Sequence, residues 1–175
     1  MKHGISGLYA VTPDTDDTPG LLTKVEAALA GGARLLQYRN KTAGAALRLI
    51  QGRALLALCC EYQAVLIIND HLELALTLDA HGLHLGSDDG QLPEARTRLG
   101  TGKILGASCY RNVERALDAQ RSGVDYVAFG GFFPSTVKPG ALRAPLTLLQ
   151  DAKQRLSVPV VAIGGITLDN APQLL

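Results

Sequence analysis

Short apolar runs alternate with longer amphipathic stretches along this chain, and the joins between them are polar or glycine-rich. The runs read as strands are GLYAVT (7–12), RLLQYR (34–39), AVLIIN (64–69), GLHLG (82–86), KILGASC (103–109), DYVAFG (125–130) and VPVVAIG (158–164). Several are continuously apolar, as a strand covered on both faces should be. The stretches between them predict helices over 19–31, 43–62, 71–79, 91–98, 111–122 and 145–156. The first of these has Thr18 and Pro19 as N-cap and first helical residue, and it stops at Gly31-Gly32. Strand followed by helix, repeated at roughly 20–25 residue intervals, predicts an α/β fold with a parallel sheet and right-handed crossovers.

An open doubly wound sheet and a closed (β/α)8 barrel both satisfy that pattern. A nucleotide-binding open sheet usually carries a glycine-rich fingerprint after its first strand, whereas here the chain reads AVTPDTDD. Polar residues follow many different strands instead: Arg39 and Lys41, Asn69 and Asp70, Asp88 and Asp89, Ser108, Lys138, and the pair Gly164-Gly165. A site fed from so many strand ends calls for a ring, so the expected fold is a TIM (β/α)8 barrel. One domain over residues 1–175 is expected, since no low-complexity or Ser/Pro-rich break divides the chain.

Composition narrows the function classes. With 47% apolar residues and a net charge of +1, the chain is no disordered polyelectrolyte and has no electrostatic case for nucleic acid or anionic membrane as partner. No apolar run approaches the ~20 residues of a membrane span. The three cysteines include the neighbours Cys59 and Cys60, which argues against a disulfide framework and for a reducing cytoplasm.

The loop residues sort by chemistry. Arg39, Lys41 and Lys138 suit phosphate oxygens, and Asp70 with Asp89 could hold one hard cation such as Mg²⁺. Gly164-Gly165, at the end of a strand, could offer backbone N–H groups to a second phosphate. Each piece also has a plainer reading. Asp70 with Glu73 forms the pattern of a capping box; Asp88 and Asp89 suit a turn; the cations could be solvated and the glycines could relieve crowding. It is their joint appearance at successive strand ends that favours two phosphorylated substrates, one a diphosphate carrying Mg²⁺. A zinc site through His71, His81 and His84 lacks a closed ligand set, and Cys109 lacks an activating base, so it reads as a bystander.

The stretches LQYRNK, IINDHLELAL, DAHGLHLGSDD, LGASCY, GVDYVAFGGFFPSTVKPGA and VPVVAIGGITLDNA resemble, in order and spacing, the motifs of thiamine-phosphate synthases. That resemblance implies a (β/α)8 barrel and a transferase. It would condense 4-amino-2-methyl-5-hydroxymethylpyrimidine diphosphate with 4-methyl-5-(2-hydroxyethyl)thiazole phosphate, releasing pyrophosphate with Mg²⁺ as cofactor. Carried over, it implies that Gln37, Tyr38, Arg39, Asn40, Lys41, Asn69, Ser108 and Lys138 bind the pyrimidine diphosphate. Ser135, Thr136, Val137 and Gly165 would meet the thiazole phosphate, Asp70 and Asp89 the metal, and Ser108, Lys138 and Arg39 would be catalytic. The implied partners are two small phosphorylated molecules, with neither nucleic acid nor membrane; a homo-oligomer stays open. The implied mechanism is dissociative, in which a pyrimidine methyl cation is captured by the thiazole nitrogen.

Two departures stand out. The family loop usually reads P-[ST]-x-T-K, and in PSTVK Val137 replaces the second threonine. The sequence also ends at Leu175, after the seventh strand and the start of a seventh helix, so a barrel without its eighth unit is expected. Such a chain should bind Mg²⁺-pyrimidine diphosphate better than thiazole phosphate. Two alternative readings remain open. One is a thiazole tautomerase-like isomerase of the same fold, which would not need Gln37 or the Asp70–Asp89 pair; the other is a non-catalytic phosphate-ligand binder.

Overall fold

The computed structural model describes residues 4–86, 91–134 and 143–174. Asp88, Asp89, Ser135, Thr136, Val137 and Lys138 therefore lie outside the described residues. Among the described residues, strands and helices alternate as β1 (Tyr9–Val11), α1 (Thr18–Ala30), β2 (Leu35–Tyr38), α2 (Ala45–Glu61), β3 (Val65–Asn69), α3 (Leu72–Thr77), β4 (Gly82–Leu85), α4 (Leu92–Leu99), β5 (Ile104–Tyr110), α5 (Val113–Arg121), β6 (Tyr126–Gly130), α6 (Thr147–Arg155) and β7 (Val160–Ile163). This is the α/β repeat of a TIM-type fold. No helix among the described residues is long and apolar enough to cross a membrane.

The chain forms two compact units, one from the chain up to His84 with Thr97–Ile104, the other from Leu85–Arg96 with the chain from Leu105 onwards. In the first unit, β1, β2, β3 and β4 pair in parallel and in sequence order, with Val11 opposite Gln37, Tyr38 opposite Ile68, and Asn69 opposite His84. All four residues of β2 and the first four of β3 are buried, which explains their unbroken apolar runs. Leu66, Ile67 and Ile68 are each 0% exposed, and burying one such side chain contributes about 2 kcal/mol. In the second unit β5, β6 and β7 are likewise parallel. Gly106 on β5 lies against the buried ring of Tyr126, where an added Cβ would stand 2.1 Å from the ring.

Helix α1 shows how the local sequence sets its start. Asp17 is the N-cap, its carboxylate accepting the Gly20 N–H at 3.0 Å. The expectation that Thr18 would cap is corrected: Thr18 is already helical beside Pro19, and its hydroxyl accepts from Gln51 Nε2 at 3.2 Å. In the second unit, Asp125 at the foot of β6 accepts from Leu105 N–H at 2.9 Å and from Arg96 Nη2 at 2.5 Å. Arg96 Nε also reaches the Gly123 carbonyl at 2.9 Å. This mostly buried cluster ties α4 to the N-terminal ends of β5 and β6, away from the strand ends that carry the candidate chemistry.

Candidate active site

Parallel pairing puts the carboxyl ends of β1, β2 and β3 on one edge of the first unit, where Thr12, residues 39–41 and Asn69-Asp70 follow. Thr12 leaves β1 and clasps Arg39 through the backbone: its hydroxyl donates to the Arg39 carbonyl at 2.8 Å and accepts the Arg39 N–H at 2.9 Å. The Arg39 guanidinium turns to Asp14, with Nη1 at 3.1 and 3.0 Å from the two carboxylate oxygens. Asp14 Oδ1 also accepts the Lys41 N–H at 2.7 Å. Burial pushes the Asp14 carboxyl upward, but the Lys41 N–H and the Arg39 and Lys41 charges outweigh it and hold it below its usual value.

Lys41 extends to Asp70, its ammonium 3.4 Å from Oδ2. The same oxygen accepts Asn69 Nδ2 at 2.6 Å. Asp70 has a left-handed backbone, φ +64°, and its N–H donates to the His84 carbonyl at 2.9 Å. The capping-box expectation for Asp70 and Glu73 is thereby overturned. The N-cap of α3 is His71, Asp70 lies outside the helix with its carboxylate facing Asn69 and Lys41, and Glu73 pairs with Arg98. Asp70 thus does not cap α3, and its carboxylate is held beside the Lys41 ammonium and the Asn69 amide.

Gln37 and Tyr38 belong to the strand itself. Gln37 is 6% exposed and donates from Nε2 to the Tyr9 hydroxyl at 3.0 Å. Tyr38 is buried and donates to Gln51 Oε1 at 2.7 Å, and burial pushes its hydroxyl up to about 12. Asn40 is also buried, donating to the Thr15 carbonyl at 2.6 Å and Gln51 Oε1 at 3.0 Å. The side chains of Tyr38 and Asn40 are both engaged in this internal network. The side chains of Arg39 and Lys41 remain at the surface.

In the second unit Ser108 sits on β5, on the wall of a cavity of about 270 Å³ lined also by Leu92, Pro93, Ala107 and Arg115. Its neighbour Cys109 is 0% exposed, and burial pushes the thiol up to about 11, so it holds its proton at neutral pH. After β7, Gly164 and Gly165 have φ +104° and +64°. A Cβ on Gly165 would meet the Pro134 carbonyl oxygen at 2.1 Å, so only glycine lets the chain pass there. Phe132 and Phe133 N–H groups donate to the Ile163 and Gly164 carbonyls at 3.2 and 3.0 Å. Asn170 fixes the turn from below, donating to the Gly165 carbonyl at 3.0 Å and accepting the Thr167 N–H at 2.8 Å. Gly165 therefore packs against the segment that runs into Ser135.

The first unit thus brings together Gln37, Arg39, Lys41, Asn69 and Asp70, and the second holds Ser108 and Gly165. Among the described residues no group of three or more His, Cys, Asp or Glu side chains could hold a metal, and of the two expected ligands only Asp70 is described. His81 Nδ1 accepts the Leu66 N–H at 3.0 Å. His84 is buried and its pKa is driven down to about 4, burial outweighing the nearby Asp70 charge. Sequence reasoning missed Thr12, Asp14 and Gln51. The run PDTDD holds three aspartates that look alike, and only the fold shows that Asp14 reaches Arg39 while Asp17 caps α1.

Known proteins resemble this chain along nearly its whole length. The family described as thiamine monophosphate synthase matches residues 8–175. A thiamine-phosphate synthase of Aromatoleum aromaticum is 54% identical over 98% of this chain and 82% of its own length. One from Methylobacillus flagellatus is 54% identical over 98% of this chain and 81% of its own. A solved thiamine phosphate pyrophosphorylase from Pyrococcus furiosus superposes with a TM-score of 0.83 at 34% identity, over 95% of this chain and 78% of that one. With identity of this order across nearly the whole chain, and the strand-end motifs in place, the chain belongs to the thiamine monophosphate synthase family.

Proposed function

We propose that the chain joins hydroxymethylpyrimidine diphosphate to hydroxyethylthiazole phosphate, giving thiamine phosphate and pyrophosphate. The bond between the pyrimidine methylene carbon and the diphosphate oxygen breaks, its electron pair leaving with pyrophosphate. The lone pair of the thiazole nitrogen then forms the new C–N bond. No proton has to be removed by the protein, which suits a site whose cysteine keeps its proton.

The observation that carries this reading is the linked row Arg39, Asp14, Lys41, Asp70 and Asn69 along one strand-end edge. Arg39 and Lys41 would hold the diphosphate oxygens, and Gln37 would orient the pyrimidine end. Asp70 offers a hard carboxylate donor beside those cations, which fits Mg²⁺; with Asp89 it would hold the ion. Bound there, Mg²⁺ supplies neutralisation of charge on the leaving pyrophosphate. Ser108 and Lys138 complete the diphosphate contacts in this reading. Gly165 with Ser135, Thr136 and Val137 would receive the thiazole phosphate, supported by the packing of Gly165 against the stretch that leads into Ser135.

Phosphorus NMR of the protein with both substrates and Mg²⁺ tests the proposal. Paired growth of pyrophosphate and thiamine phosphate signals is expected. Conversion of the thiazole phosphate alone, or no conversion, would contradict it.

A further inference from the structure

Resting on the proposed reaction, we infer that Asp14 is a positioning residue that braces Arg39 and Lys41 for the diphosphate. A carboxylate beside an anion site would ordinarily be a poor feature, since it repels the ligand. Its contacts give the reason for its presence. Asp14 engages the guanidinium only at Nη1, and among the described residues no other hydrogen bond or ion pair holds Nε or Nη2. Those two nitrogens form the side-on fork that grips phosphate oxygens in parallel, so the brace leaves the useful edge open. The second oxygen contact, to the Lys41 N–H at 2.7 Å, sets the backbone from which the Lys41 ammonium reaches Asp70. One carboxylate thus aligns both cations of the row.

Asp14 is itself held on both sides. Thr12, 4% exposed, is bonded twice to the Arg39 backbone. The Thr15 carbonyl accepts from Asn40 Nδ2 at 2.6 Å and from Gln51 Nε2 at 3.1 Å, and Gln51 is 0% exposed. The loop after β1 is thereby stitched to the end of β2 and to α2, with Asp14 between two anchors. A brace of this kind fixes geometry before the ligand arrives, which lowers the ordering cost of binding.

The test is steady-state kinetics of Asp14→Ala and Asp14→Asn on the full chain, varying each substrate in turn, with thermal melting as a check on folding. Asp14→Ala should raise KM for the pyrimidine diphosphate by about tenfold or more, as loss of an orienting partner commonly does, with KM for the thiazole phosphate unchanged. Asp14→Asn keeps an acceptor for the Lys41 N–H and should fall between Ala and wild type. A lower pyrimidine diphosphate KM in Asp14→Asn would show that the carboxylate merely repels the ligand and would overturn the inference. Unchanged kinetics in both variants, or equal losses for both substrates, would also overturn it. Wild-type protein that makes no thiamine phosphate would refute the proposed reaction instead, so the two failures are separable.

Discussion

At the scale of single residues, the site depends on where charge is held and where it is withheld. Asp70 escapes the helix cap that its spacing suggests because its left-handed backbone takes it out of line with α3, and His71 takes the cap position. Its carboxylate then meets a lysine and an amide. The cysteines show the opposite case: Cys59 and Cys109 are buried, with thiols pushed up to about 12 and about 11, whereas Cys60 is exposed. Since the thiolate is the reactive form, a thiol reagent at pH 8 should titrate one cysteine per native chain and three after denaturation. Cys109→Ala should keep most of its turnover. Rapid native labelling of Cys109, or inactivation by its removal, would restore it as a nucleophile.

At the scale of elements, the turn after β7 and the ion cluster below β6 have separate duties. Gly165→Ala adds a methyl group where the Pro134 carbonyl stands 2.1 Å away and forces a side chain into φ +64°. The variant should raise KM for the thiazole phosphate more than KM for the pyrimidine diphosphate; an equal effect on both would count against Gly165 as part of the thiazole side. Arg96→Ala leaves the Asp125 carboxylate mostly buried with its cation gone, and should destabilise by about 3 kcal/mol in urea unfolding. Because that cluster lies at the other ends of the strands, turnover per folded molecule should hold. Strands were legible in the sequence because β2 and β3 are buried on both faces, and a continuous apolar run has no other economical reading. The caps were less legible: Asp17, Thr18 and Asp70 are all competent cap residues, and only backbone direction chooses among them.

At the scale of the whole molecule, the alternation of seven strands with helices among the described residues, and a likeness to relatives covering nearly the whole chain, fix the family. The placement of Arg39, Lys41, Asn69 and Asp70 at the strand ends could be read from sequence because each group directly closes an apolar run. Asp14, Thr12 and Gln51 could not, since their roles come from partners 11 to 36 positions away in the chain. The central claim is that the edge formed by the ends of β2 and β3 is a Mg²⁺-diphosphate site. Asp70→Asn tests it most directly, because asparagine tolerates a left-handed backbone and keeps the side-chain shape while removing the charge. Turnover measured against Mg²⁺ concentration should show half-saturation raised by about tenfold or more, with an unaltered melting temperature. An unchanged Mg²⁺ dependence in that variant would contradict the account.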